Sequence, residues 1–154
     1  MEDNKKFQIG NVSTITLAHL IHDTYTAFLA PILPLIIEKF SISLSLAGLL
    51  SVIQRIPSLL NPFIGILADK MKVRYFVIFA PAITTISMSL IGIAPGYTIL
   101  AILLFVSGIS STLFHVPSPV MIKRVSGSRL GKGMSFFMLG GEIARTVGPL
   151  IIVA

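Results

Sequence analysis

Residues 19–34 read HLIHDTYTAFLAPILP, and the residue types in that run pull in opposite directions. Leu, Ile, Ala and Phe dominate it, yet His19, His22 and Asp23 fall about one helical turn apart. A soluble core rarely holds an unpaired aspartate, because an ionised carboxylate without a partner is costly to bury. Either the run lies on a surface helix, or the charge has a task inside an apolar medium.

Composition decides between them. The 154 residues are 54% hydrophobic and 12% charged, against roughly 45–50% apolar and 25% charged in soluble domains. Mean hydropathy is +0.92. The chain reads as a membrane protein. Its formal net charge of +6 would suggest nucleic acid in a soluble protein. Here the basic residues sit in short clusters between apolar runs, so the lipid bilayer is the expected partner and nucleic acid is not. With no cysteine there is no thiolate nucleophile, disulfide or Cys metal site. The first apolar run lacks a signal-peptide cleavage pattern and is expected to be retained.

A membrane-spanning helix needs about 20 mostly apolar residues. That ruler divides the chain into five spans at roughly 12–37, 44–68, 75–94, 97–121 and 134–154. Turn chemistry separates them: EKFSISLS, DKMKVRY, the Pro95-Gly96 pair, and IKRVSGSRLGKG. A cytoplasmic N-terminus puts Lys5, Lys6, Lys70, Lys72, Arg74, Lys123, Arg124, Arg129 and Lys132 on one side and Lys39 on the other. Five spans with no polar tail after the last lead to the expectation that further helices complete the unit.

Positions three and four apart share a helix face. Thr16, His19, His22, Asp23 and Thr26 therefore form one stripe on the first span. The second span offers Ser51, Gln54, Arg55, Ser58, Asn61 and Gly65; the fourth Ser107, Ser111, His115 and Ser118; the fifth Ser135, Glu142 and Arg145. The third has only Ser and Thr as polar residues and is expected to face lipid. Counted from the span ends, Asp23, Arg55 and Arg145 lie about 16–18 Å deep, while His19 and His115 form a second layer nearer the cytoplasm. An ionisable group at mid-bilayer costs about 2.5–3.5 kcal/mol on insertion scales, so these groups should face protein or water. A water-lined passage meets that demand, and a closed structural ion-pair network is the alternative.

GILADKMKVR, residues 65–74, resembles the loop between the second and third helices of the major facilitator superfamily, G-x-L-a-D-R/K-x-G-R-R/K. Gly65, Asp69, Lys70 and Arg74 match it, and Lys72 and Val73 depart from it. In that reading Gly65 lets helices approach closely and Asp69 with the following cations makes a gating latch. DTYTAFLAPILPLI, FHVPSP and GKGMSFFMLGGEIARTVGPL are similar to stretches of the fosmidomycin-resistance group of drug exporters within that superfamily, in order and with similar spacing. Glu142 stands where that group is expected to carry an amide or small residue. GGEIARTVGP also resembles the fifth-helix motif of proton-coupled antiporters, with Gly140, Gly141, Gly148 and Pro149 permitting bending or close packing.

The resemblance implies an all-α membrane protein, with residues 1–154 forming five helices of a six-helix N-terminal bundle. It implies twelve helices in two halves that rock about a central site. The remaining helices would come from a second polypeptide, a copy of this chain or a missing part of it. The expected function is secondary transport in the plasma membrane of a bacterium or archaeon, with efflux of a small anionic or amphipathic compound in exchange for protons. Uptake of an organic anion, or a non-transporting subunit of a split transporter, are the alternatives.

Asp23 and Glu142 are the candidate proton carriers, since a carboxyl group in a partly dry cavity can take up and release a proton. Arg55 and Arg145 would dock an anionic group bidentately. Gln54, His19, His22 and His115 would line the substrate site, imidazole adding groups that titrate near neutrality. No cofactor and no metal are expected: three histidines on two spans could attract zinc, but no HExxH or Cys pattern accompanies them. Nothing resembles a nucleophile with its base, so no enzyme is expected.

Overall fold

The computed structural model describes residues 6–70 and 74–154, with the backbone alone for Asp69 and Lys70. Lys5, Lys72 and Val73, and the side chains of Asp69 and Lys70, lie outside what is described, so the latch read from the 65–74 loop is outside it too. The protein is all-α, and among the described residues there is no strand. Five helices are long and apolar enough to cross a membrane: span 1 (Ile9–Phe40), span 2 (Leu44–Ala68), span 3 (Arg74–Ile93), span 4 (Tyr97–Ser126) and span 5 (Leu130–Val153). Span 4 runs past residue 121 because Pro117–Ser126 stays helical through the basic pair Lys123 and Arg124.

Proline determines where the spans break. Its nitrogen carries no hydrogen, so the carbonyl four residues earlier loses its helical donor. Span 1 consists of Ile9–Thr26 and Leu29–Phe40, joined at Ala27, four residues before Pro31. Span 2 tightens into a 3₁₀ turn at Ile56–Leu60, between Leu44–Arg55 and Asn61–Lys70. Span 4 divides at Val116, just after His115 and ahead of Pro117 and Pro119. Span 5 is continuous through Pro149.

Packing produces two apolar layers with a polar level between them. Phe28, Leu29, Ile36, Leu50, Met88, Leu100 and Leu104 form the first. Val12, Ile15, Val77, Ala80, Phe114, Ile122 and Phe137 form the second. Span 3 does more than face lipid, contrary to the expectation from its composition. Its outer face exposes Ile78, Phe79, Ile83 and Ile86, but its inner face buries Thr84 and Ser87. The Thr84 hydroxyl donates to Ser110 Oγ at 2.8 Å, and Ser110 donates to the Ala80 carbonyl at 2.6 Å. Ser and Thr can satisfy themselves across a helix interface, so their presence does not separate a lipid face from a packed one.

The most extensive contact joins span 1 to span 5. It exists because span 5 presents glycine there: a Cβ at Gly140 would meet the Thr16 carbonyl at 2.7 Å, one at Gly141 the His19 ring at 2.6 Å, and one at Gly148 the Thr24 carbonyl at 2.9 Å. Between spans 2 and 4, Gly108 lies directly against the Gln54 carbonyl. Among the described residues a Cβ at Gly65 would touch only Val116 Cγ1 at 4.0 Å, so the close approach expected there is not made within these five spans.

Gly148→Ala should therefore destabilise the protein by about 1–3 kcal/mol, the usual cost of overpacking. Gly48→Ala, where nothing lies within 4 Å, should not. Thermal unfolding in detergent distinguishes the pair.

Candidate functional site

Asp23 is the centre of the polar level. It lies at the end of the first segment of span 1, and its side chain is 5% exposed. His19, one turn earlier on the same face, places Nε2 3.2 Å from Asp23 Oδ2. His115 from span 4 places Nε2 3.0 Å from Asp23 Oδ1. Arg145 from span 5 brings Nε to 3.6 Å from Oδ2 and donates from its NH1 nitrogen to Glu142 Oε1 at 2.8 Å. One guanidinium thus bridges two carboxylates, one buried and one exposed.

The two polar layers expected from depth are a single cluster. Helical side chains lean toward the N-terminus of their own helix. Asp23 leans back toward His19, whereas His115, on an antiparallel span, leans the other way and meets it. Counting Cα depth alone separates residues whose side chains converge.

A hollow of about 350 Å³ opens beside this cluster. Span 1 contributes Asp23, Thr26 and Ala27; span 2 Gln54, Arg55 and Ser58; span 4 Gly108, Ser111, Thr112 and His115; span 5 Arg145. These are the four spans whose sequences carry a polar seam, and span 3 contributes nothing to the wall. Arg55 faces the same space and has no ion-pair partner among the described residues.

Three candidates sit elsewhere. His19 is 2% exposed and is held behind Asp23, its ring stacked on Phe137 at 4.1 Å between centroids. His22 is fully buried against Phe114, with ring centroids 4.7 Å apart, and neither ring nitrogen has a hydrogen-bond partner. Glu142 is 60% exposed at its side chain and lies outside the hollow, touching it only through Arg145. Position on a helical stripe cannot tell the wall of a cavity from the packing immediately behind it. Thr26, Ser58 and Ser111 line the hollow and stand three or four residues from Asp23, Arg55 and His115, a spacing that His19 shares without reaching the wall. Nothing in the sequence marks the Phe137 carbonyl, which accepts from His19 Nδ1 at 2.8 Å.

A buried carboxylate within the apolar spans is thus contacted by side chains from two other spans beside an open hollow. The sequence pattern of the Major Facilitator Superfamily matches residues 15–154. The chain belongs to the major facilitator superfamily. That superfamily is a family of membrane transporters. The chain is 27% identical to the fosmidomycin resistance protein of Escherichia coli (strain K12) over 143 residues, 92% of this chain and 35% of that protein. It is 20% identical to the uncharacterized MFS-type transporter YfnC of Bacillus subtilis (strain 168) over 138 residues, 89% of this chain and 34% of that one. The chain spans about a third of the length of these curated relatives. No solved structure matches it.

Because the chain has no cysteine of its own, single cysteines report access directly. Ser58→Cys and Ser111→Cys, in the wall of the hollow, should react with a small hydrophilic thiol reagent. Ser107→Cys, at a fully buried position, should resist it by comparison. Equal labelling at all three would mean that the hollow is not a distinct aqueous space.

Proposed function

We propose that the hollow is one wall of the passage in a proton-coupled secondary transporter that expels a small anionic or amphipathic compound. The observation that carries this reading is the placement of Asp23, a buried carboxylate at an aqueous hollow, contacted at once by His19, His115 and Arg145. A charge in that position costs free energy unless it is compensated, so adding a proton changes which partners Asp23 retains.

With Asp23 ionised, Arg145 is held between it and Glu142. A proton on Asp23 removes the attraction at 3.6 Å and leaves the guanidinium on Glu142 at 2.8 Å, where it can turn toward the hollow. Arg55 already faces that space. The two guanidinium groups then dock a carboxylate, phosphate or phosphonate, whose geometry they match bidentately. Return of the arginine to an ionised Asp23 releases the anion, so binding of the proton and binding of the anion are linked through Arg145. Asp23 is the primary proton carrier in this scheme, and Glu142 is the second carboxylate that holds the arginine meanwhile. Gln54 and His115 supply polar contacts to the substrate. The name of the Escherichia coli relative supports export over uptake.

Asymmetry of the basic residues supports a cytoplasmic N-terminus in a plasma membrane. Further helices complete the passage opposite the hollow. The exposed apolar faces carrying Leu35, Leu59, Phe63, Phe79 and Leu150 then meet lipid or those helices.

Reconstitution in liposomes with fosmidomycin as probe and an imposed pH gradient tests the scheme. Asp23→Asn should transport no faster with the gradient than without it. Arg145→Gln should lose substrate binding while leaving the protein folded. Gradient-driven transport that is unchanged in Asp23→Asn removes proton coupling from this residue. Tolerance of neutral residues at Asp23, Arg55 and Arg145 together would favour a non-transporting subunit.

A further inference from the structure

His19 Nδ1 lies 2.8 Å from the carbonyl oxygen of Phe137. A carbonyl can only accept, so Nδ1 carries the hydrogen and a neutral His19 ring has its lone pair on Nε2. That nitrogen lies 3.2 Å from a carboxylate oxygen of Asp23. Two acceptors are thus close together in a place where His19 is 2% exposed. His115 Nε2 meets the other oxygen of the same carboxylate at 3.0 Å. Despite these short distances, neither His19 Nε2 nor Asp23 Oδ1 has a hydrogen-bond partner of acceptable geometry. The atoms are close without forming hydrogen bonds, which leaves both without a partner in a buried place.

We infer that His19 Nε2, His115 Nε2 and the Asp23 carboxylate form a binding site for a divalent transition-metal ion of the zinc or cobalt class. One ligand atom from each of the three residues lies within 4.8 Å of the others. Ligands about 2.0–2.1 Å from a tetrahedral ion stand about 3.3–3.4 Å apart, so the set closes on a metal with small side-chain shifts. Two imidazoles and one carboxylate suit zinc or cobalt better than magnesium or calcium, which favour all-oxygen sites. The contact to Phe137 is the outer support that metal-bound histidines ordinarily have, fixing the tautomer and the ring orientation. Asp23 and His115 also line the hollow, which provides a path of entry and leaves the fourth coordination position open to water or an anion.

The cation that faces this site is Arg145, 3.6 Å from Asp23 Oδ2. Its side chain is 54% exposed and already bonded to Glu142, so it can withdraw toward that carboxylate as the metal arrives. The sequence offers histidines on two spans but no metal motif, because the third ligand, His115, comes from a span far from His19 and Asp23 in the chain.

The inference rests on the ligand geometry and not on the transport reading, so it is tested by binding alone. The intact protein, purified in detergent without a polyhistidine tag, is titrated with Co²⁺ as the only added metal. Visible ligand-field bands should saturate, and zinc should bleach them. Outer-shell changes at metal sites cost about 10–100-fold in affinity, so removing a ligand in His115→Ala should weaken binding by about 100-fold or more. His115→Cys should restore it and add a thiolate-to-cobalt charge-transfer band absent from the parent, which also shows that substitution at 115 leaves the site folded. Absence of saturable bands, or affinity unchanged in His115→Ala, would overturn the site and mean that a proton alone satisfies the His19–Asp23 pair.

Discussion

A carboxylate in the middle of a bilayer must be compensated by its own protein, and in this chain that single requirement organises the bundle. Asp23 cannot draw on solvent on its buried side, so its partners have to come from other helices. His115 comes from span 4 and Arg145 from span 5, which fixes the level at which spans 1, 4 and 5 meet. The glycines of span 5 follow from the same requirement. Side-chain bulk at Gly141 would push against the His19 ring, and bulk at Gly140 against the Thr16 carbonyl, separating span 5 from the charge that Arg145 must reach. Of the two uses expected for these glycines, bending and close packing, the second is the one seen in their contacts with span 1.

Apolar layers above and below give this polar level its strength. Core residues around Leu100 and Leu104 close one side, and those around Phe114 and Ile122 close the other. Attraction between charges weakens as the effective dielectric rises, so a cluster sandwiched between dry layers couples its members more tightly than one at a surface. Arg145 is half-exposed, and it is therefore the member whose position is easiest to change. Asp23 and His19 are the members that stay.

Much of this was legible in the sequence, and for identifiable reasons. Apolar runs bounded by turn residues located all five spans, because hydrocarbon thickness sets their length directly. Polar seams picked out the four spans that line the hollow, since lipid tolerates so few polar groups that nearly every one carries information. The failures have one origin: a helical stripe gives direction around an axis, but not what occupies that direction. His22 and Asp23 are adjacent, yet one is stacked on Phe114 and the other opens to the hollow. Thr84 and Ser110 look alike as polar residues in apolar runs, and their mutual hydrogen bond is a tertiary fact. Depth counting failed at His115 because it measured Cα height on spans whose side chains lean in opposite senses.

Backbone as well as side chains bears on the proposal that the hollow is a wet passage. Pro31, Pro62, Pro119 and Pro149 each deprive the carbonyl four residues earlier of its helical donor, and those residues are Ala27, Ser58, His115 and Arg145. All four line the hollow, one from each of its four spans. Ser58 recovers a donor from the Asn61 N–H in a tightened turn. Other prolines free carbonyls elsewhere, so proline alone does not make a passage. A structural charge network gains nothing from a weakened ladder in every helix that surrounds it, since it needs only rigid placement. Carbonyls without donors are tolerated at membrane depth where they are buried in protein or meet water. Three of these four residues lie where their spans break or tighten, and the fourth lies in the continuous span 5. Their gathering around the space that also holds Asp23 and Arg55 fits a hydrated wall.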